Sequence, residues 1–375
     1  MRLNRFVLMG LLGPMAAVAC WAQSGAAVQP AAHQPPALAG SEETKRGVQR
    51  NTQNAKNSDR LSVEMIKAPA EVADALAGPP QCDADGNLYL KTTSDGIAAI
   101  HKLNGKGERI ALFLKSSALK IDFSPYFSIA SNGYVYELVY PQEISRYVLV
   151  YRPEGSLKST IKLQPGFVFM PYRLAVFPSG DFLLTGLEYD KDRNNRVTWP
   201  FNGIFSNDGA LRKELVLEDD EMIHDLAASG DPRVTTAQNP SSNHAVSWGA
   251  AETGPDGNVY LMRRLSPAIF YAVSEGGTVV RRFTVDPGKE DFMPFTMHIA
   301  GSRIAVLFHQ PQTGEKIIKV VDLKGREIAT YDEPVINGEQ ALGLAFVCYS
   351  SNPDRFTFLE TAEDSKLELL VAKPQ

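Results

Sequence analysis

Three cysteines are spread through 375 residues, and no two of them are spaced Cys-x-x-Cys. That scarcity excludes the small disulfide-dense scaffolds and the zinc ribbons. Also missing are a Gly-x-Ser-x-Gly elbow, a Walker phosphate loop and a His-Glu-x-x-His pair, so three common routes to hydrolysis have no local signature. The six histidines, His33, His101, His224, His244, His298 and His309, show no metal-ligand spacing. Basic charge is in deficit, with 38 Lys and Arg against 43 Asp and Glu, and no cationic stripe interleaved with aromatics appears. A nucleic-acid surface is therefore not expected.

Long apolar runs are scarce too. The only one, from Phe6 to Val18, is shorter than the roughly 20 residues that span a bilayer, and Gly10, Gly13 and Pro14 interrupt it. With Arg2 and Arg5 before it and small residues after it, residues 1–22 read as a secretory signal peptide, which predicts an exported, periplasmic or extracellular protein. Ala17-Val18-Ala19-Cys20 resembles a bacterial lipoprotein processing box, with Ala17 where that pattern prefers Leu. Acylation of Cys20 would tether the chain to a membrane without inserting it, and ordinary cleavage after Ala19 or Ala22 explains the same small residues. Residues 23–60 are rich in Ala, Gln, Pro and Asn and carry almost no large apolar side chains. Such a segment cannot bury enough surface to order itself and reads as a disordered linker.

What is present in quantity is turn chemistry. Twenty-nine glycines and 24 prolines suit many short elements. The stretch TGPDGNVYLMRR, residues 253–264, puts Asp256-Gly257-Asn258 directly ahead of an apolar run, and the same order recurs. Asp85-Gly86-Asn87 precedes LYL, Ser131-Asn132-Gly133 precedes YVYEL, and Ser179-Gly180-Asp181 precedes FLLTG. Gly301-Ser302-Arg303 precedes IAVLF, and Asn352-Pro353-Asp354-Arg355 precedes FTFLE. Successive spacings are 47, 47, 77, 44 and 53 residues, one interval being too long. Asp-Gly and Asn-Gly supply the positive φ angles of hairpin turns, and alternating Val, Tyr, Leu and Phe then fill a pleated strand. A second turn series, at 104–107, 153–155, 207–209, 275–277 and 324–325, lies between the first, each turn flanked by strand-like runs. Each repeat therefore holds four short strands.

Four-stranded units of about 45 residues are the blades of a β-propeller. The pattern resembles the six-bladed NHL-like and TolB-like propellers over residues 61–375, and the resemblance implies an all-β fold of six four-stranded antiparallel blades. The last unit lacks a fourth strand. The strand-like LSVEMIKAP at 61–69 is left over before the first, so it is expected to complete blade six and close the ring. Cys82 and Cys348 then fall on neighbouring innermost strands, where they form either a disulfide or two buried free thiols. Asp83-Ala84-Asp85-Gly86-Asn87 reads as a blade turn, since it lacks the spacing and distal glutamate of an EF-hand loop.

Alternation of strand direction puts the loops between second and third strands, and the links from each blade to the next, on one face. Two excursions belong there: residues 188–196 and an insertion at 218–243. Long excursions from a compact scaffold are more often functional than decorative. The innermost strands open on this face with Pro125-Tyr126, Pro171-Tyr172 and Pro294-Phe295, and with His244 and Trp248 in the corresponding region of blade four. Tyr126, Tyr172, Arg173, His244, Trp248, Phe295 and His298 are thus the candidate ligand-binding residues of a channel mouth. The competing reading is that these rings pack between blades. Glu218, Asp219, Asp220 and Glu221 are expected to be a solvated helix start.

Two functions of different class follow. One is a binding or scaffold module for a protein, peptide or glycan, without a cofactor, monomeric, with no nucleic-acid partner and with membrane contact only through Cys20. The other, by resemblance to lactonase-like and lyase-like propellers, is an enzyme with a divalent metal at the channel mouth. No catalytic residue is assigned, because function is argued from a site and no metal motif matches residue by residue.

Overall fold

In the computed structural model the described residues are 60–67, 78–94, 97–114, 121–141, 145–188, 199–222, 249–336, 339–340, 342, 345–361 and 367–375. The chain divides into two units, 1–57 and 58–375. Residues 1–59, which hold the expected signal peptide and nearly all of the expected linker, lie outside the described residues.

Six four-stranded antiparallel sheets make up the second unit. Their innermost strands are Gln81–Cys82, Ile121–Ile129, Phe169–Val176, Ala250–Thr253, Met293–Ala300 and Ala345–Ser351. Each of these packs against the innermost strand before it and the one after it, and the sixth packs against the first, so the contacts close into a ring. The fold is a six-bladed β-propeller.

The closure is made as the pattern of units requires. Leu61–Lys67 runs antiparallel to Leu367–Pro374, from Leu61 opposite Pro374 to Lys67 opposite Glu368. Gln375 extends the ladder by donating its amide to the Arg60 carbonyl oxygen at 2.9 Å. Cys82 and Cys348 form a disulfide with α-carbons 5.3 Å apart, tying the innermost strands of blades one and six. A two-residue ribbon, Val335–Ile336 with Glu339–Gln340, lies between blades five and six. It was not anticipated, and it occupies part of the 53-residue interval that precedes Asp354.

Alternation explains the core. Strands such as Val259–Arg263 and Ala268–Val273 are buried along their whole length, because the two middle strands of a blade meet neighbouring sheets on both faces. Outer strands alternate, as in Val279–Val285. The turns between third and outer strands have a further duty. A β-carbon on Gly155 would run into the Leu112 carbonyl, and one on Gly209 into the Lys162 carbonyl, each in the preceding blade. These glycines hold positive φ and also let adjacent blades approach. Asp83 is fully engaged inside its own blade, accepting from the Asn87 amides, the Tyr89 hydroxyl and Lys102, which makes its loop a structural turn.

Candidate functional site

The face opposite the Asp-Gly hairpins carries the links between blades. Strands Phe182–Glu188 and Trp199–Phe205 end there, with Glu188 opposite Trp199. The excursion at 188–196 leaves from that point, and the insertion at 218–243 leaves from the outer edge of the same blade. Residues 189–198 and 223–248 lie outside the described residues, and with them His244 and Trp248.

The Pro-aromatic pairs prove to be sites of β-bulges. Register shifts fall between Phe123 and Tyr126, between Pro171 and Arg173, between Pro294 and Thr296, and between Phe346 and Cys348. An extra residue turns the local side chains out of the regular alternation, a device that re-aims groups on a rigid strand. In blade three the bulge presses so close to Gly186 that a β-carbon there would collide with the Met170 carbonyl.

Arg173 is the polar centre of the array. Its Nε donates to the Gly249 carbonyl in blade four, its Nη1 donates to the Tyr172 carbonyl at 2.8 Å, and its guanidinium lies 4.4 Å from the ring centre of Tyr126 in blade two. One side chain therefore joins three blades. Tyr172 is half-buried against the apolar cluster between blades three and four, as the packing reading expects.

A second guanidinium stands near it. Arg264 donates from Nε to the Pro294 carbonyl at 2.9 Å, lies 5.3 Å from the Phe295 ring centre, and has His309 Nε2 3.3 Å from its Nη2. Burial and the charge of Arg173 bring the Arg264 pKa down to about 10. Burial, Arg264 and Lys316 together push His309 down to about 4, which keeps its imidazole neutral. Phe295 meets His309 edge to face at 5.3 Å and packs against the core of blades five and six.

His298 lies deeper and has a different task. It is 5% exposed, with Nδ1 2.8 Å from a Glu252 carboxylate oxygen in blade four and Nε2 3.1 Å from the Phe346 carbonyl in blade six. Burial opposes its charge, yet the attraction of Glu252 and hydrogen bonds at both nitrogens outweigh it, so its pKa is raised. A carbonyl oxygen only accepts, so Nε2 is the donor to Phe346, and Nδ1 faces the Glu252 carboxylate, which leaves both ring nitrogens engaged within the protein.

In the acidic run at 218–221 a helix does begin at Asp220, and Glu218 and Glu221 are exposed, but the two middle carboxylates correct the expectation of a wholly solvated start. Asp219 and Asp220 are buried, at 4% and 5% exposure, and both pair with buried Arg263. Asp219 also accepts the Tyr271 hydroxyl at 2.6 Å, and Asp220 accepts the Leu217 amide at 2.7 Å. Among the described residues the helix covers 220–222. These carboxylates anchor the root of the insertion to blade four.

Sequence reasoning missed Glu252, Arg263, Arg264 and His309. The one available signal was the doubled arginine closing TGPDGNVYLMRR, because a charged pair at the link-face end of a buried strand must find partners among its neighbours.

No protein-family model and no curated protein matches the chain. Solved structures with a similar fold include a Bacteroides caccae protein of unknown function, 9% identical, covering 69% of this chain and 82% of its own at a TM-score of 0.45. Staphylococcus aureus virginiamycin B lyase, crystallised with quinupristin, is 11% identical over 84% of this chain and 100% of its own, with a TM-score of 0.44. TolB from Acinetobacter baumannii is 13% identical over 66% of this chain and 52% of its own, with a TM-score of 0.39. Their functions differ, and none of these likenesses bears on activity here.

Proposed function

We propose that this propeller is an exported binding or scaffold module that engages a protein, peptide or glycan on the face from which the 188–196 and 218–243 excursions leave. One observation carries the reading: Arg173 stacks on Tyr126 and Arg264 on Phe295, a braced aromatic and guanidinium array in which Arg173, Tyr126 and Phe295 lie on innermost strands and Arg264 directly follows the second strand of blade four. Rigid strands bearing aromatic and arginine anchors make good recognition surfaces, because little side-chain freedom is lost on binding.

Export is part of the same proposal. The signal-like residues 1–22 support it, as does the Cys82–Cys348 bond, since disulfides persist in oxidising compartments. The kinship to NHL-like propellers rests on the blade turns alone. Any membrane association would come from acylation at Cys20, and replacing Cys20 by alanine would then release the protein into the soluble fraction.

The test is binding of the mature protein to glycan and peptide arrays. Hits lost with Arg173→Ala or Tyr126→Ala, in variants that melt as the parent does, support the module. A stoichiometric divalent ion in the purified protein, with turnover of a lactone or glycan lost on its removal, would support the metal-dependent enzyme instead. That enzyme would need ligands other than His298, whose nitrogens are both engaged.

A further inference from the structure

We propose that the contact between blades three and four holds a built site for one water molecule, which ties both ends of the root of the 218–243 insertion to blade three. Such a site lies beyond the binding reading and holds whatever the link face engages.

It begins with a row of side chains. Arg173, Thr185 and Asn202 stand directly opposite one another on the first three strands of blade three, so their side chains share one face of the sheet. That face is turned to blade four, where Arg173 reaches the Gly249 carbonyl. Next to this contact is a cavity of about 10 Å³, lined from blade three by Thr185 and Asn202 and from blade four by Gly249, Ala250 and Arg263. One water molecule needs roughly that much room.

Buried polar atoms converge there. Asn202 is 1% exposed, and neither Nδ2 nor Oδ1 of its carboxamide makes a hydrogen bond among the described residues. Arg263 Nε lies 3.5 Å from Asp219 Oδ2, an ion pair without a hydrogen bond, so these two atoms lack one as well. A buried amide left unbonded at both ends is costly, and buried polar groups are nearly always satisfied by protein or by ordered water.

The same atoms select the occupant. Asn202 offers a donor and an acceptor whichever way its amide is turned, Thr185 offers a hydroxyl, and Arg263 an N–H. A metal cation would face the Arg263 charge and the amide hydrogens, and an anion would face the carboxamide oxygen and the Asp219 carboxylate. A neutral molecule that both donates and accepts suits the set, and at this volume that molecule is water.

Position gives the water a task. Asp219 and Asp220, where the insertion leaves, are held by Arg263, while Gly249 and Ala250 stand where the chain enters blade four. The departing end thus reaches the cavity through Arg263, and the returning end forms part of its wall. A water bonded to Asn202 and Thr185 fastens both to blade three.

The experiment is a crystal structure of the mature protein at near-atomic resolution, repeated on crystals grown with rubidium and with bromide salts. One water within about 3.2 Å of the Asn202 carboxamide is expected, with no anomalous signal from either salt. A rubidium or bromide peak in the cavity would reassign it to an ion, and a carboxamide bonded directly to protein, or no water at all, would remove the occupant. Any of these overturns the proposal. Asn202→Leu has the same branched shape, fills the cavity and removes both polar ends. It should expel the water and speed hydrogen exchange of the Leu217 amide, which Asp220 holds, about tenfold, the scale of one hydrogen bond. The Asp322 amide in blade five, bonded to the Arg326 carbonyl, is the reference that should not move. An unchanged Leu217 rate, or an equal change at Asp322, overturns the tie to the root. The parent crystal decides the water even where the variant fails to fold.

Discussion

Glu252 and His298 form a clasp across three blades. One carboxylate oxygen of Glu252 faces His298 Nδ1 at 2.8 Å, the other accepts the Ile299 amide at 2.8 Å, and the far side of the imidazole reaches the Phe346 carbonyl. The histidine that sequence alone placed at a ligand-binding mouth is thus engaged at both nitrogens within the protein.

Because its pKa is raised on folding, protonated His298 contributes stability in full below its unfolded value near 6.5, and that contribution is lost as pH rises through the higher folded value. Denaturant unfolding measured from pH 5.5 to 8.5 should show stability falling on the alkaline side. His298→Gln should flatten that limb and cost about 3 kcal/mol at pH 6, the scale of breaking a buried charged pair. An unchanged limb in the variant would refute the clasp.

His309 has the opposite sign. Its pKa falls from 6.5 unfolded to about 4 folded, through burial, Arg264 and Lys316, so the unfolded chain binds the extra proton between those values. Stability from this site is present above pH 6.5 and is lost as pH falls toward 4. His309→Asn should reduce the acid-side slope and leave the alkaline side as it was. Unfolding curves of both variants on one pH series separate the two histidines.

Reduction of Cys82–Cys348, or the paired Cys82→Ser and Cys348→Ser change, should lower stability by about 2–4 kcal/mol. The fold should persist, since Leu61–Lys67 still closes blade six. Far-UV circular dichroism with and without reductant, followed by thermal melting, tests both halves of the statement.

Glycine substitutions discriminate turn conformation from blade approach. Gly86 and Gly209 both hold positive φ, at 78° and 92°, yet a β-carbon on Gly86 would meet nothing within 4 Å while one on Gly209 would strike the Lys162 backbone. Gly86→Ala should cost about 1–2 kcal/mol, the left-handed penalty alone. Gly209→Ala should cost about 3 kcal/mol or more, because overpacking adds to that penalty. Equal losses in urea unfolding would show that the blades yield at this contact.

The architecture was legible because each blade repeats the same local instruction. An Asp-Gly or Asn-Gly turn followed by an alternating apolar run needs only short-range sterics to read, and six copies with one leftover strand specify both the number of blades and the closure. The long interval falls between Glu214, where the outer strand of blade three ends, and Ala250, where blade four begins, while the buried state of Asp219 and Asp220 was hidden, since four consecutive acids look alike whether solvated or paired with an arginine 43 or 44 residues away. The bulges under Tyr172 and Phe295 were hidden too, for proline before an aromatic is compatible with regular pairing as well as with a register shift.

By itself the sequence determined the blade, its repetition and the strand that seals the ring, because turn angles and period-two burial are local properties of a chain. Tertiary structure alone decided which polar groups meet. Arg173 finds the Gly249 carbonyl 76 residues later and His298 finds Glu252 46 residues earlier, pairings set by how twisted sheets pack around a common axis. Whether a charge in this channel is spent on the fold or kept for a ligand depends on that packing, and no spacing along the chain encodes it.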